Sequence, residues 1–533
     1  LKNNLVKSVG LVMLLSTLAR GLSLVGSMRY TAWFGYTLET DIYTYAVNLP
    51  NLIFTCIGTA LVTVVIPIFS GRLAAGEKDR AYGFIDNIIT IALILAALIA
   101  SVGIFASPLI VGIIDKFRDG DPALALFALR LMFPVMIFHA INYILQGVLQ
   151  SNSRFMLPAI VSAFSGLSVI LYVTFFAGRF GIRGLLVATF AGLASQAIVL
   201  IPPVAGRLGY RYRPSLRLAD GDVRLAGRLA LPVLVSSSSY QFNMFMNSTF
   251  AAGFDGGVLT ITNMLTLAFT ASQLFIISTL SVFFPRMSAR YAIGDHAGFR
   301  DAMGGVMRLI IVFAVPASAG LAYLSRLLIP LLYGHGKVTA SDMAVSVAVF
   351  AVYAGAIAFI GFKEAADRAF YAIRDSRTPA AVSVGIMALN IALSYALMGR
   401  IGLVGLPVAY FAAIASGAAA LLLLLRKRLA VMGVSAGAGK LAPLAIRCVL
   451  STCAMIAVLI VAELALNALN GGGGAGTLFA SAYGLPTVDL ALRIVALTAI
   501  GGGAYAAACY AFGVDEMRGF IQRILHRRLR GRR

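Results

Sequence analysis

An arginine at position 20 stands in the middle of a long apolar run, and Arg29 follows it, about two and a half helical turns later. The next apolar run opens with Glu39 and Asp41 and then carries Asn48-Leu49-Pro50-Asn51. Placing an arginine at the centre of a bilayer costs roughly 2.5–3.5 kcal/mol on insertion scales, so such residues face a bundle interior or a water-filled cavity. The chemistry these types suggest is recognition of charge rather than bond making. Two readings stay open for Arg20. It pairs with Asp41 and locks the first two runs together, or it presents a cation to a central cavity. Pro50 removes a backbone hydrogen bond and favours a kink, and the Asn48 and Asn51 side chains are placed to satisfy the freed carbonyls.

A second charged group, Lys363-Glu364-Ala365-Ala366-Asp367-Arg368, closes a later apolar run. Lys363 with Asp367 and Glu364 with Arg368 have the i,i+4 spacing of helical ion pairs. The cluster is therefore either self-neutralising, or it gates the cavity or meets an anionic headgroup. Arg374-Asp375-Ser376-Arg377-Thr378-Pro379 then reads as a turn. His139, Asn142 and Gln146 recur at helical spacing, as expected of bonding between helices in lipid. Ser236 to Ser239 with Gln241 and Asn243, and Asn390 with Ser394, offer oxygen ligands for a small cation, although no carboxylate accompanies them. The chain holds no HExxH, GxSxG, P-loop or CxxC pattern. No enzyme and no cofactor is expected, so any transport would run on the membrane potential, a monovalent cation gradient or the substrate's own gradient.

The elements that must carry these residues are membrane spans. Of 533 residues, 60% are hydrophobic and 12% charged, whereas a soluble domain carries about 25% charged residues. Runs of the length a spanning helix needs occur about fourteen times, near 8–32, 43–69, 84–113, 124–149, 155–177, 184–205, 226–252, 257–284, 304–333, 341–371, 378–398, 402–425, 441–468 and 486–512. The expected class is an all-α polytopic membrane protein. Lys2 and Lys7 resemble a signal n-region, but Arg20 interrupts the run and no cleavage site follows, so it is read as the first span. Leu1 in place of methionine points to an unusual start or to trimming.

The net charge of +22 comes from 43 lysines and arginines. Most fall in the N-terminus, the even-numbered loops and the C-terminus, including Arg207 to Arg228, Arg426-Lys427-Arg428 and a tail from Arg518 to Arg533. That bias puts both termini in the cytoplasm and the tail against anionic membrane lipid. No nucleic-acid module accompanies the charge. Cys56, Cys448, Cys453 and Cys509 lie within apolar runs without metal spacing and read as packing residues.

The chain repeats itself. Gly178-Arg-Phe-Gly-Ile-Arg-Gly-Leu-Leu-Val-Ala through Ser195 aligns with Gly399-Arg-Ile-Gly-Leu-Val-Gly-Leu-Pro-Val-Ala through Ser416, with eleven of eighteen positions identical. Pro67, Ser70, Arg72, Ala74 and Gly76 match Pro285, Ser288, Arg290, Ala292 and Gly294. An even number of spans separates the copies, which implies a parallel repeat. We expect two pseudo-symmetric six-helix lobes, residues 1–222 and 223–428. Two further helices fill 429–513, joined by the flexible run Gly471 to Gly474, and a basic cytoplasmic tail occupies 514–533.

Ala19-Arg20-Gly21, Thr40-Asp41 with Leu49-Pro50-Asn51, the Pro67 helix end, and Arg368-Ala-Phe-Tyr-Ala-Ile-Arg-Asp-Ser-Arg-Thr-Pro379 resemble the MurJ/MviN lipid II flippases of the multidrug/oligosaccharidyl-lipid/polysaccharide exporter superfamily. The resemblance spans the chain and implies a divergent member of the bacterial inner membrane. Such a protein would move a polyprenyl pyrophosphate-linked glycan between leaflets, with the last two helices lining a groove for the lipid tail. It implies that Arg20 and Asp41 fall on functional positions. The family's usual cavity arginines align at Gly26, Phe54 and Thr266, none of them basic here. Arg29, Lys363 and Arg368 are left to supply positive charge. The substrate-binding set expected is thus Arg20, Arg29, Asp41, Asn48, Asn51, Lys363, Glu364, Asp367 and Arg368, in a protein acting as a monomer. Flipping of another polyprenyl-linked glycan, export of a small molecule, and a membrane glycosyltransferase or polymerase stand as alternatives. The last would need a catalytic loop that this chain lacks. A non-transporting cell-wall scaffold would leave the charges within the spans without a use.

Overall fold

The computed structural model describes residues 2–152, 154–434, 438–469 and 486–518, and among these it contains helices and turns but no strand. The helices are α1 (Lys2–Phe34), α2 (Leu38–Ala74), α3 (Lys78–Ile113), α4 (Asp115–Asp119), α5 (Pro122–Met132), α6 (Val135–Ser151), α7 (Met156–Ile160), α8 (Ala163–Phe175), α9 (Ala177–Leu208) and α10 (Gly221–Ala251). They continue as α11 (Gly257–Ala292), α12 (His296–Leu309), α13 (Val315–Tyr333), α14 (Ala340–Ala372), α15 (Arg377–Ile401), α16 (Gly405–Val431), α17 (Ala438–Leu469) and α18 (Thr487–Ala511). Every apolar run read from the sequence lies chiefly on helix. Among the described residues ten stretches are long and apolar enough to cross a membrane, one of them running over both α15 and α16. The molecule is an all-helical polytopic membrane protein.

Helix ends and internal breaks follow local chemistry rather than hydropathy. Thr37 and Thr40 form a reciprocal capping box at the start of α2, which satisfies amides that would otherwise lack partners. That helix then runs unbroken through Pro50 and Pro67. The fourth run splits between α5 and α6 at Phe133-Pro134. The ninth is interrupted by a π-helical turn, Ile310–Ala314, between α12 and α13. The Val312 carbonyl there accepts a 2.7 Å hydrogen bond from the Tyr505 hydroxyl.

The chain divides into two compact units, residues 1–259 with 336–338, and residues 260–335 with 339–533. In the first, α2 packs against α6 and α10, α1 against α8, and α8 against α9. Lipid offers no hydrophobic drive for such packing, so small residues and interhelical hydrogen bonds carry it. Asn142 donates to Gln196 at 3.1 Å, Gln146 to Asn142 at 2.9 Å, and the Tyr43 and Thr189 hydroxyls meet at 2.9 Å. His139, expected in the same network, instead stacks on Phe54, and its Nε2 has no partner among the described residues. In the second unit α14 packs on α13 and α16, α15 on α16, and the α17–α18 pair on α13. Cys448 and Cys509 are buried in the apolar cluster of that last contact, with Leu327, Leu459 and Leu497.

Both stretches of the sequence repeat recur as backbone geometry. Gly181 has φ 56° and ψ −150°, and Gly402 has φ 64° and ψ −148°, a region essentially restricted to glycine. At the ends of α2 and α11, Gly76 and Gly294 take φ of 79° and 76°. Each turn is then closed by an arginine reaching an acid five residues on, Arg72 to Glu77 and Arg290 to Asp295, both at 2.7 Å. The repeat and the packing divide the chain at different places. Helix α10 begins the second sequence copy, yet it belongs to the first compact unit. Arg72 holds its first turn through a bidentate bond to Asp222, at 2.8 and 2.7 Å.

Candidate functional site

The charged residues singled out within the spans fall in both units. Arg20 and Arg29 lie on α1 of the first unit, both exposed. Neither forms an ion pair among the described residues. Nine residues apart on a continuous helix, they leave it on opposite faces. Arg29 is near the end of α1 and its long stem can reach the headgroup level. Arg20 is near mid-helix and has no such escape.

The lock between Arg20 and Asp41, one of the two readings of the sequence, is not formed. Asp41 is buried on α2, and its Oδ1 accepts the Leu259 amide at 3.0 Å. That amide lies in the first turn of α11, where free N–H groups point outward and an anion is stabilised. The same end of the first unit carries a Lys116–Asp255 ion pair and a 2.8 Å bond from the Lys337 amide to the Ala32 carbonyl. Asn48 is half-buried and Asn51 exposed. The Asn51 carbonyl accepts a 2.6 Å bond from the Thr55 hydroxyl.

Two of the three positions that the resemblance sets against cavity arginines are filled by packing. A Cβ on Gly26 would come within 3.2 Å of the Gly166 carbonyl oxygen, and one on Gly166 within 2.9 Å of the Ser23 Cα. Helices α1 and α8 thus approach so closely that a side chain at 26 would press on the α8 backbone. Phe54 is fully buried and stacks on His139 and Tyr143. Thr266 is exposed.

In the second unit, Lys363 and Asp367 pair at 2.6 Å along α14, as their spacing predicts. Glu364 and Arg368 do not pair. The Arg368 guanidinium lies 5.6 Å from the centre of the Phe284 ring, a cation–π contact. Among the cation-ligand candidates, Asn243 accepts from Asn247 at 3.0 Å, and the Ser394 hydroxyl meets Asn390 at 3.4 Å. Of the serine run, Ser238 bonds the Leu234 carbonyl, while the side chains of 236, 237 and 239 lie outside the described residues, as does the glycine run at 471–474. No grouping of three or more metal-ligating residues occurs among the described residues.

Two arrangements escape a reading by spacing. Glu463 on α17 is buried with Arg326 of α13 in an ion pair. The Tyr323 hydroxyl donates to the same carboxylate at 2.7 Å, and its ring lies under the guanidinium at 4.1 Å. The signal in the sequence was a single acid in one span and a deep arginine in another. The loop after α9 is also pinned along α3. Asp86 accepts from the Tyr210 hydroxyl at 2.7 Å and from the Arg213 amide at 3.0 Å, and Asn87 accepts the Arg217 amide at 2.8 Å. The Tyr210 hydroxyl is pushed well above its ordinary pKa, first by burial and then by the Asp86 carboxylate it bonds.

These features define the class: a helical membrane transporter built on an internal repeat, with ionisable groups held inside its spans. Over 95% of its length the chain superposes on a solved structure titled "Lipid II flippase MurJ, inward closed conformation", with TM-score 0.76, 18% identity and 99% of that chain covered. A multidrug resistance MATE family transporter of the MOP superfamily follows the same fold at TM-score 0.64 and 15% identity, over 78% of this chain and 95% of that one. The "Probable lipid II flippase MurJ" of Borreliella burgdorferi is 23% identical over 414 residues, 76% of this chain and 80% of that protein. That of Treponema pallidum is 25% identical over 423 residues, 75% and 78% of the two chains. The family model "Lipid II flippase MurJ" matches residues 30–474. The chain belongs to the MurJ lipid II flippase family, a family of transporters and not of enzymes.

Proposed function

We propose that this protein carries lipid II, the lipid-linked peptidoglycan precursor, from the inner to the outer leaflet of the bacterial cytoplasmic membrane by alternating access. The observation that carries the reading is Arg20, exposed in mid-helix without a carboxylate partner among the described residues, in a member of a lipid II flippase family. A guanidinium retained at that depth is costly unless it meets an anion, and its planar fork suits bidentate phosphate contacts. Arg20 is therefore the first contact for the pyrophosphate. Arg29, Asn48 and Asn51 contribute from the same lobe, and Lys363, Glu364, Asp367 and Arg368 from the other. Lys363 is already paired with Asp367, which makes it the lesser anion receptor of the two lobes. Asp41 acts differently, holding the first turn of α11 in one state of the cycle and releasing it in another.

The lobes, residues 1–222 and 223–428, rock about the headgroup, while the polyprenyl tail lies in a groove along 429–513. Both termini face the cytoplasm, and the tail from 514 rests on anionic lipid. The protein works as a monomer, driven by the membrane potential or a monovalent cation gradient, with Asn243, Asn390 and Ser394 as the oxygen-bearing candidates for the ion. The likeness to a multidrug transporter fold keeps small-molecule export as a second reading.

The test is rescue of a strain depleted of its own lipid II flippase, with membrane abundance matched between variants. Wild type should restore growth and Arg20→Ala should not. Rescue by Arg20→Ala would reduce Arg20 to a structural role. Failure of well-expressed wild type would redirect the reading to another polyprenyl-linked glycan or to small-molecule export.

A further inference from the structure

The turn between α14 and α15 is built around an arginine in a conformation that arginine avoids. Arg374 has φ 62°, the only non-glycine residue at positive φ among those described. Residues held in such regions concentrate at ligand clamps and switch points. Around it opens a cleft of about 350 Å³, walled by Arg374, Asp375, Arg377 and Thr378 of the turn, by Tyr291 at the end of α11 and by Arg428 at the end of α16.

Three arginines and one carboxylate line this cleft, and that carboxylate is fully engaged. Asp375 accepts from the amides of Arg377 and Thr378 at 3.1 Å each, from the Thr378 hydroxyl at 2.8 Å and from Arg428 at 3.3 Å. Partial burial opposes its charge, but the Thr378 amide and hydroxyl and the Arg428 guanidinium outweigh burial and hold the carboxyl below the usual carboxylate range. Asp375 thus frames the turn and caps α15. The Arg374 and Arg377 guanidinium groups have no acidic partner among the described residues.

The fold itself does not demand these arginines. At the offset that superimposes Gly181 on Gly402, Pro158 aligns with Pro379, and the first copy carries Ser153 and Met156 opposite Arg374 and Arg377. A turn that merely needed polarity, or simply followed the general basic bias of these loops, would not need a strained arginine at a concave surface.

We propose that this cleft is a binding site for a phosphate-bearing anion, gripped by Arg374 and Arg377 with Arg428 behind them. Guanidinium forks bind phosphate oxygens in pairs, and the ligand is either the headgroup of an anionic membrane lipid or a soluble phosphate. The site is separate in sequence and chemistry from the arginine of α1, and it does not depend on what the protein transports.

The experiment measures thermal unfolding of the full chain in nanodiscs. One arm compares phosphatidylcholine discs with discs containing phosphatidylglycerol. The other adds inorganic pyrophosphate to phosphatidylcholine discs at constant ionic strength. An anion that binds the folded state raises the midpoint. Phosphatidylglycerol alone raising it identifies a lipid headgroup, and pyrophosphate raising it identifies a soluble phosphate. In either case the rise should be lost in Arg374→Gly and in Arg377→Gln, and kept in Arg426→Gln, which removes an equal charge from an exposed position outside the cleft. Arg374→Gly should also unfold no earlier than wild type when the anion is absent, because glycine takes this φ freely. Should that variant fail to fold, Arg377→Gln alone decides. An equal rise in every variant, or no rise for wild type with either anion, overturns the proposal.

Discussion

At the scale of single residues, position and partner separate cleanly. The run of types around Arg20 and Asp41 marks both as costly in lipid, and that much was legible. The pairing was not, because the Asp41 carboxylate is met by an amide 218 residues away, which no spacing along the chain encodes. The absent cavity arginines read as a loss in the sequence, and the structure supplies the reason at Gly26. The α8 backbone would lie only 3.2 Å from a Cβ at that position. Placing an arginine there should therefore harm this protein. Gly26→Arg is expected to lower the unfolding midpoint, with an overpacking cost of about 1–3 kcal/mol, and to fail in the depletion rescue. A variant that folds at the wild-type midpoint would show that α1 and α8 are free to separate.

At the scale of elements, hydropathy located the helices but not their irregularities. The break at Phe133-Pro134 and the π-helical turn at Ile310–Ala314 leave the apolar pattern intact, since they rearrange backbone bonds without changing side-chain polarity. The charged ends of α3 and α12 extend beyond the apolar run for a related reason: membrane depth is set by composition, whereas a helix ends where its caps lie. The repeat was legible at Gly181 and Gly402 because only glycine suits their backbone angles, so this identity persisted while neighbours drifted. Alanine at either position should cost about 1–3 kcal/mol of strain. Gly181→Ala and Gly402→Ala should each lower the midpoint by a similar amount, measured side by side in one detergent. A large effect at one and none at the other would mean that the two turns do not play equivalent structural parts.

At the scale of the whole molecule, α17 is fastened to α13 within the second unit by a buried ion pair. Removing one partner of such a pair leaves the other uncompensated and typically costs about 3–5 kcal/mol, whereas replacing both by apolar residues is often neutral or stabilising. Glu463→Gln should therefore sharply lower the unfolding midpoint, and Arg326→Met with Glu463→Leu should recover it. If the double variant is as unstable as the single one, the pair contributes more than mutual neutralisation, through Tyr323 or through specific positioning of α17. The class of fold, the repeat and the family were all within reach of the sequence. The grip of α17 on α13 was not, because it joins residues 137 positions apart in spans that give no other hint of adjacency.

Helix α10 opens the second copy of the repeat but packs with the first unit, and Asp222 in its first turn is clasped by Arg72. A gene bisected at the boundary of the sequence repeat, after residue 222, would cut α10 in its first turn and strip the N-terminal fragment of a helix it packs around. Fragment complementation should instead respect the later seam after residue 259, in the first turn of α11, which keeps Asp255 with Lys116 and the Leu259 amide with Asp41. The history of the duplication and the cohesion of the present-day protein thus call for scissors in different places.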